Sequence, residues 1–155
     1  MTLWDLIKAY WSTGFSFGDV QMYPFDATTS DGSFAIQIFE SLKFLGDRGI
    51  LHCDLKPPNI LLVGSDLTQI KIIDFGSSRY ETDNNILGED STLQTRWYRA
   101  PEIILGMPYD NSIDMWSAGC ILAELFMCGH LFPGQDDGDQ LVRIISAWTS
   151  CKIFY

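Results

Sequence analysis

The chain has 155 residues, of which 46% are hydrophobic and 19% are charged, and its formal net charge is −10. This apolar fraction supports one domain with a real core and excludes a disordered tail. Because 20 acidic residues outnumber 10 basic ones, the summed field repels phosphates, and we expect no nucleic-acid partner.

Four cysteines and the N-terminal residues bear on the compartment. The cysteines form no C-x-x-C pair and have no histidine at metal-binding spacing, which favours reduced thiols in an intracellular protein, cytoplasmic or nuclear. The start, MTLWDLIKAYW, lacks the basic segment of a signal peptide. The longest apolar run, 115–127, is short and contains Glu124, so we expect a core helix and no membrane partner. The sequence gives no oligomeric state.

Apolar residues recur at helical spacing in several segments, and two short β-branched runs flank a turn. The first helix begins at a capping-box pattern formed by Thr2 and Asp5. Pro101 is tolerated in the first turn of a short helix, and Asn111 or Ser112 can cap the next helix. The predicted helices are 3–10, 34–45, 101–105, 112–127 and 140–148. The predicted hairpin joins 60–63 to 70–73, and the predicted loops are 16–33 and 77–94.

The octet HCDLKPPN, at 52–59, lies between the second helix and the hairpin. Pro57 and Pro58 fix φ and exclude a helix there. Asp54 and Lys56 are therefore two apart on a locally extended chain, and their side chains point the same way. A carboxylate and an ammonium can then converge on one spot, with Asn59 close by. A solvated turn is the alternative for any one such segment.

The tripeptide DFG, at 74–76, follows the hairpin directly. Asp74 comes after a buried strand and before a glycine, which permits an unusual backbone conformation. Together with Asp54 and Asn59, Asp74 supplies three oxygen donors of the kind that Mg²⁺ prefers. An ordinary β-turn is the alternative when this tripeptide is considered alone.

Four segments occur in a fixed order: HCDLKPPN, DFG, TRWYRAPE and DMWSAGC. The patterns H-R-D-L-x-x-x-N, D-F-G and A-P-E, in this order, form the protein-kinase signature. One match is weak, whereas ordered matches over roughly seventy residues leave little room for chance. The chain therefore resembles a eukaryotic protein kinase.

Further segments resemble one branch of that family. TRWYRAPEIILG resembles the CMGC group, and HCDLKP, IIDFGSS, YDNSIDMWSAGCILAEL and LFPGQDDGDQL are similar to its dual-specificity tyrosine-regulated kinase (DYRK) family. The resemblance extends from 34 to about 148 and, more loosely, over 2–17. It implies an α+β, protein-kinase-like fold, namely a truncated, mainly helical large lobe with short β-hairpins.

The resemblance also implies roles for the two central motifs. Asp54 would accept the proton of the substrate hydroxyl or orient that hydroxyl, and Lys56 would neutralise the transferred γ-phosphate of ATP. Asn59 and Asp74 would hold the Mg²⁺ ions that bridge the phosphates. His52 would be structural and would pack beneath the DFG turn.

Three further residues receive positions from the resemblance. Leu61 would lie beneath the adenine ring with Ile73 behind it, and ordinary strand core is compatible with both. Asp114 would cap backbone near the catalytic loop.

The activation segment would run over 74–102. In it, Arg96 and Arg99 would grip a phosphorylated residue or an acidic group. The two tyrosines of the family's motif fall at Asp90 and Thr92, which puts tyrosine autophosphorylation in doubt; Asp90 or phosphorylated Thr92 would substitute, and an unmodified solvated loop is the alternative. Glu102 would pair with an arginine in the last helices of the family's large lobe, and we expect it to lack that partner here.

Two residues depart from the family's pattern. Cys53 replaces an arginine that binds an activation-loop phosphate, a replacement that is normal for the DYRK family. Pro58 replaces a glutamate that can contact the peptide, which leaves peptide selectivity open.

The chain has no G-x-G-x-x-G loop, no V-A-I-K-type lysine and no helix with its partner glutamate. We therefore expect 1–155 to be part of a kinase domain, without the small lobe and the last helices, with an insert at 21–33 and a divergent tail at 149–155. The expected origin is an incomplete gene model or a splice product.

The expected function is ATP-dependent phosphorylation of serine or threonine in protein substrates, with tyrosine left open. We expect the 155-residue chain alone to be inactive. The alternative is a non-catalytic binding or scaffold fragment, or a pseudokinase, that presents its activation segment or the helix at 112–127 to a partner.

Overall fold

The fold is described from a computed structural model, which covers residues 1–12, 34–64, 67–82, 92–127 and 129–151. The expectations for the insert at 21–33, for Asp90 and for the end of the tail fall outside these residues. The described part is mainly helical with short antiparallel strand pairs, so the predicted α+β class is confirmed.

Along the described residues, two helices are followed by four short strands and then by three helices. The helices are α1 (Leu3–Ser12), α2 (Phe34–Gly46), α3 (Pro101–Ile104), α4 (Ser112–Met127) and α5 (Asp137–Cys151). The strands are β1 (Ile50–Leu51), β2 (Ile60–Val63), β3 (Gln69–Ile72) and β4 (Arg79–Tyr80). Single 3-10 turns cover Pro57–Asn59, Phe75–Ser77 and Arg96–Tyr98.

The predicted capping box begins α1. Asp5 accepts a hydrogen bond from the backbone N–H of Thr2 at 2.8 Å, and the Thr2 hydroxyl accepts one from the N–H of Asp5 at 3.2 Å. These reciprocal bonds satisfy donors that the first turn leaves unpaired. They hold the pKa of Asp5 below its usual value.

The hairpin is confirmed with a one-residue shift, since β3 covers Gln69–Ile72. β2 and β3 are antiparallel, with Ile60 opposite Ile72. The hairpin is attached to α1, because Leu62 N–H donates to the Met1 carbonyl at 2.9 Å. It is attached to α2 by Gln37, whose side chain bonds the backbone of Thr68 and Ile70.

Two apolar clusters hold these elements together. The larger joins α1, α2, α4 and β2 through buried residues that include Leu3, Ile38, Leu42, Ile60 and Ile121. The smaller cluster packs β1 against α3 and the start of α4, and it includes Leu51, Cys53, Ala100, Ile103 and Ile113. Each fully buried large side chain contributes roughly 1.5–3 kcal/mol.

Helix α4 is the central element, and its predicted core face is confirmed. Ile121 and Leu125 are buried, and Trp116 and Leu122 pack against the larger cluster. In the described part of the chain, no helix is long and apolar enough to cross a membrane.

Several element ends differ from the sequence prediction by one to three residues. The largest difference is at helix α5, which covers Asp137–Cys151 instead of 140–148, because the Asp136 carboxylate accepts the Asp139 N–H and caps the first turn. The sequence analysis also missed the short β1–β4 pair, in which Ile50 lies opposite Tyr80. Two-residue strands give no periodic signal.

Candidate active site

The catalytic-loop octet is held from below by Asp114 of α4. Its carboxylate accepts the backbone N–H of His52 at 2.6 Å and that of Cys53 at 3.0 Å. Cys53 has φ +65°, a conformation that costs energy for a non-glycine residue. The Asp114 bonds stabilise this turn, as predicted. Burial raises the pKa of the Asp114 carboxyl, and the two backbone bonds oppose that rise.

Asp54 and Lys56 converge as the sequence predicts. Lys56 Nζ lies 2.7 Å from Asp54 Oδ2, and both side chains are mostly buried. A third residue completes the group, because the Thr95 hydroxyl donates to Asp54 Oδ1 at 2.7 Å and lies 3.1 Å from Lys56 Nζ. The three side chains therefore form a closed, charge-assisted network.

Asn59 is oriented by its neighbours. Its Nδ2 donates to the Asp54 carbonyl at 2.9 Å and lies 3.4 Å from Asp54 Oδ2. Because the NH₂ group is used in this way, the amide oxygen of Asn59 is directed away from Asp54 and is available to a cation. The Ile73 N–H donates to the Asn59 carbonyl at 2.9 Å, which joins the octet to the strand before DFG.

Leu61 and Ile73 lie on one face of the hairpin extension. Leu61 pairs with Lys71, and directly opposed or alternate residues share a face. Both Leu61 and Ile73 are half-buried, whereas Ile60 and Leu62 point into the core. This half-exposed apolar face suits a planar ring above it, and the adenine assignment stays a prediction.

The DFG turn rests on His52, as predicted. His52 Nε2 lies 3.0 Å from the Ile73 carbonyl, and its ring packs edge-on against Phe75 at 4.9 Å. The backbone of Asp74 has the left-handed conformation, with φ +65°, and its carboxylate accepts a hydrogen bond from the Gly76 N–H at 3.4 Å. The Asp74 side chain is exposed, which leaves it accessible to a ligand.

The residues present fit a hard cation that brings its own oxygen ligands. Among the described residues, no three His, Cys, Asp or Glu side chains form a metal cage. Mg²⁺ is often held by one or two carboxylates together with substrate phosphates. An exposed Asp74 carboxylate and a free Asn59 oxygen match that second arrangement.

A polar recess of about 360 Å³ adjoins Asp54. Its lining is Asp54, Ser77, Arg79, Thr92, Leu93, Gln94 and Thr95. The recess joins the octet to the predicted activation segment. It is large enough for a side chain that brings a hydroxyl to Asp54.

Gln94 fixes the end of the predicted activation segment. It is buried, has φ +64°, and bonds the Ile113 carbonyl, the Ser117 hydroxyl and the Ala100 N–H at 2.8–3.0 Å. Ser117 in turn donates to the Tyr98 carbonyl at 2.7 Å. These bonds attach the Leu93–Ala100 backbone to α4 and so position Thr95 beside Asp54.

The structure places the two predicted arginines on an acidic residue of α5. Arg96 Nε and Arg99 Nη1 lie 3.2 Å and 2.7 Å from Asp137 Oδ1. Arg99 also donates to the carbonyls of Leu93 and Gln94. A phosphorylated partner within the activation segment stays a prediction.

Thr92 and Glu102 have different settings. Thr92 is exposed, at the mouth of the recess. Glu102 lies half-buried in the first turn of α3. The expectation that Glu102 lacks its family partner stays a prediction.

A buried carboxylate lies behind the segment. Glu124 of α4 accepts from the Tyr98 hydroxyl at 2.8 Å and contacts His130 Nδ1 at 2.7 Å. Burial raises the pKa of Glu124, opposed by the bonds from His130 and Tyr98. The His130 ring also packs against Trp4 and Trp97 at 5.5 Å and 4.3 Å, which joins α1 to the segment.

A comparison with known protein families shows the family of this chain. A model of the protein kinase domain matches residues 21–153. The chain belongs to the protein kinase domain family. Protein kinase domains use ATP and a divalent metal ion and act on protein substrates, which agrees with the oxygen donors at Asn59 and Asp74.

Curated relatives place this kinase domain in the predicted branch. The chain is 53% identical over 113 residues to dual specificity protein kinase YAK1 of Saccharomyces cerevisiae, covering 73% of the chain and 14% of the relative. It is 47% identical to the YAK1 homolog of Arabidopsis thaliana, covering 94% and 14%. It is 48% identical to dual specificity tyrosine-phosphorylation-regulated kinase 3 of Homo sapiens, covering 90% and 21%.

The DYRK-like, CMGC assignment is therefore confirmed. The chain spans about one seventh to one fifth of the length of these relatives. Its kinase motifs lie within residues 21–153, which the family model matches.

Sequence reasoning missed three residues of this kinase site: Thr95, Gln94 and Asp137. Each contacts a partner at least 19 residues away through its side chain, and spacing reveals only near neighbours. The signal that could have found them is their position beside Arg96 and Arg99, or in the acidic start of α5.

The described cysteines of the kinase domain are inert. Cys53 and Cys120 are both free and buried. Burial, followed by a nearby carboxylate, raises the pKa of each thiol to about 12. Cys53 therefore has no nucleophilic role beside Asp54.

Proposed function

We propose that this chain is part of a kinase that transfers the γ-phosphoryl group of ATP to serine or threonine hydroxyls of proteins, with tyrosine as a further acceptor. The chain supplies the acceptor side of the site, namely the residues that meet the acceptor hydroxyl. The observation that carries the proposal is the closed network of Asp54, Lys56 and Thr95. It supplies a carboxylate, a cation and a hydroxyl at one point beside a recess.

Asp54 orients the acceptor hydroxyl and takes its proton. Its two oxygens are distinguished by their partners, since Thr95 binds Oδ1 and Lys56 binds Oδ2. A substrate hydroxyl that enters the recess meets a fixed carboxylate, which is the geometry that general-base assistance needs. Thr95 and Lys56 hold that carboxylate in place.

Lys56 carries positive charge toward the group in transfer. Phosphoryl transfer depends mostly on positioned charge, because the protein performs little covalent chemistry. Bound to Asp54 at 2.7 Å, the ammonium sits within reach of both the acceptor and an incoming phosphate. A lysine here agrees with a serine/threonine-type loop.

On the nucleotide side, Asn59 and Asp74 are proposed to hold Mg²⁺, and Leu61 and Ile73 to contact adenine. Mg²⁺ would neutralise phosphate charge when it is bound. The support is the free amide oxygen of Asn59, the exposed Asp74 carboxylate and the half-exposed apolar face. The role of this chain's own residues is to orient these oxygens.

The proposal is tested with the product of the longest transcript that contains this sequence. We expect phosphate incorporation into a serine peptide, and a loss of at least about 10²-fold in Asp54→Ala. Glu40→Ala, which removes an exposed acid of α2, is the control with full activity. Unchanged incorporation in Asp54→Ala would exclude the proposed role and favour a non-catalytic binding protein.

The nucleotide side is tested on the chain itself by Mg²⁺-dependent binding of ATP. We expect weak binding that Asp74→Asn removes and that Asp54→Asn retains. Equal binding in all three proteins would contradict the assignment of Asp74.

A further inference from the structure

Two arginines share one carboxylate oxygen at the junction of the activation segment and α5. Arg96 Nε lies 3.2 Å and Arg99 Nη1 lies 2.7 Å from Asp137 Oδ1. The Arg99 side chain is only 9% exposed, whereas those of Arg96 and Asp137 are 42% and 41% exposed. A nearly buried guanidinium needs a nearby anion, because an unpaired buried charge is costly.

The arginine orientations are fixed by backbone carbonyls. Arg99 donates from Nε to Leu93 at 2.8 Å and from Nη2 to Gln94 at 2.9 Å. Arg96 donates from Nη1 to the Gln135 carbonyl at 3.0 Å. With these bonds made, Arg96 Nε and Arg99 Nη1 converge on one position, which is a preformed site for an oxygen of an anion.

The anion at that position comes from α5. Asp137 opens this helix, where the helix dipole also favours a negative charge. A neighbouring contact fixes the same junction, since Trp97 Nε1 donates to the Gly134 carbonyl at 3.0 Å. The 96–99 segment is therefore fastened to 134–137 at several points, with Asp137 as the charged one.

We propose that Arg96 and Arg99 form a site for an oxyanion and that the carboxylate of Asp137, at the start of α5, occupies this site as a counter-anion. Asp137 holds the 92–99 segment, and with it Thr95, in place without a bound phosphate. An oxyanion of the phosphate class competes with Asp137 for the same guanidinium edges. The consequence of this contact for catalysis rests on the proposed function. The competition between an oxyanion and Asp137 for the two arginines does not.

The neighbouring Asp139 provides a matched control. It lies in the same first turn of α5, but its carboxylate accepts from Gln135 N–H at 3.0 Å and from Arg143 Nε at 2.9 Å. Asp137→Ala and Asp139→Ala therefore remove the same charge from the same turn. Only the first substitution removes the carboxylate oxygen that Arg96 and Arg99 share.

The experiment measures the thermal unfolding midpoint of the full chain in sodium phosphate and in sodium chloride of equal ionic strength. We expect phosphate to raise the midpoint of Asp137→Ala several-fold more than that of the wild type or of Asp139→Ala. A greater rise is expected because a ligand that binds the folded state alone stabilises it. An equal phosphate response in the two alanine variants would overturn the proposal.

Two further variants keep the test decisive where Asp137→Ala fails to fold. Asp137→Asn removes the charge and keeps the shape, so it should respond to phosphate, whereas Asp137→Glu restores a carboxylate and should respond as the wild type does. A wild type that gains as much from phosphate as Asp137→Asn would also contradict the proposal. Because no readout needs ATP or phosphate transfer, a failure here is distinct from a failure of the proposed function.

Discussion

The acceptor side and the nucleotide side of this site are built differently. On the acceptor side, Asp54, Lys56 and Thr95 bond one another at 2.7–3.1 Å. On the nucleotide side, Asp74 is exposed and has positive φ. The comparison shows that the chain's own contacts fix the first group, whereas Asp74, the proposed cation ligand, is left exposed. Local stability should differ accordingly.

The support beneath the acceptor side reinforces this difference. Asp114 and Gln94 are both buried, and each bonds backbone that carries a residue of the network. Such buried, satisfied polar groups specify one conformation, because any alternative leaves a donor unpaired. Removing one of them should therefore cost far more than changing Asp74.

The largest effect is expected from Asp114→Ala. The substitution leaves the buried N–H groups of His52 and Cys53 without their acceptor, which costs about 1–3 kcal/mol for each group. We expect the free energy of unfolding, measured in urea, to fall by about 4 kcal/mol. Glu40→Ala, at an exposed acid of α2, is the control. A loss below about 1 kcal/mol would contradict the difference in stability that we expect between the acceptor side and the nucleotide side.

Glu124 extends the comparison to pH. The pKa of this carboxyl is raised in the folded protein, chiefly by burial. The folded state then binds more protons than the unfolded state, so this group's stabilising term is complete below the ordinary pKa near 4.5. It is lost as pH rises through the folded pKa.

Glu124→Gln removes that pH-dependent term and keeps an acceptor for the Tyr98 hydroxyl. We expect the free energy of unfolding of this variant to increase relative to that of the wild type as pH rises above 4.5. The difference should grow by at most about 1.4 kcal/mol per pH unit. Urea titrations between pH 4 and 8 would measure the gap. A gap that narrows with pH would show that the carboxylate form is favoured in the folded state.

Local patterns in the sequence predicted most of the frame. The Thr2–Asp5 box, the apolar spacing of α2 and the β-branched runs of the hairpin depend on near neighbours. Their energies are set within a few residues, so the sequence alone shows them. The roles of Asp114 and His52 came from the kinase resemblance, and the structure confirms both.

Long-range partners could not be predicted in this way. Thr95 reaches Asp54 across 41 residues, and Asp137 reaches Arg99 across 38. The first contact depends on how the 92–99 segment folds back beside the octet, and the second on how the start of α5 packs against that segment. No local periodicity encodes either arrangement. The same limit applies to Glu124, whose presence in the apolar run was used only as an argument against a membrane span and whose partners are distant or in the next loop.

Thr95→Val sharpens the comparison within the acceptor side. Valine keeps the shape of threonine but removes bonds to Asp54 and Lys56, whose side chains retain 19% and 25% exposure. Water can replace part of the loss, so we expect a decrease of about 1 kcal/mol in the free energy of unfolding. Thr149→Val, at an exposed threonine on α5, should change it by only a few tenths. Equal losses in both variants would deny Thr95 its place in the network.

The smallest effect on stability is expected from Asp74→Asn. Asp74 is exposed, and among the described residues its carboxylate accepts a 3.4 Å hydrogen bond from Gly76 N–H, which an asparagine oxygen can also accept. Asparagine tolerates the left-handed conformation that Asp74 adopts, so the substitution adds no backbone strain.

We therefore expect Asp74→Asn to change the free energy of unfolding by no more than about 0.5 kcal/mol. Urea unfolding without nucleotide would measure this value, and the same titration with Mg²⁺ and ATP would show the loss of the ligand's stabilising effect. A loss of about 2 kcal/mol without ligand would mean that Asp74 is structural, like Asp114. The fold itself would then hold the nucleotide side in place. A residue whose role is to bind a cation contributes almost nothing to the free energy of unfolding until the cation binds.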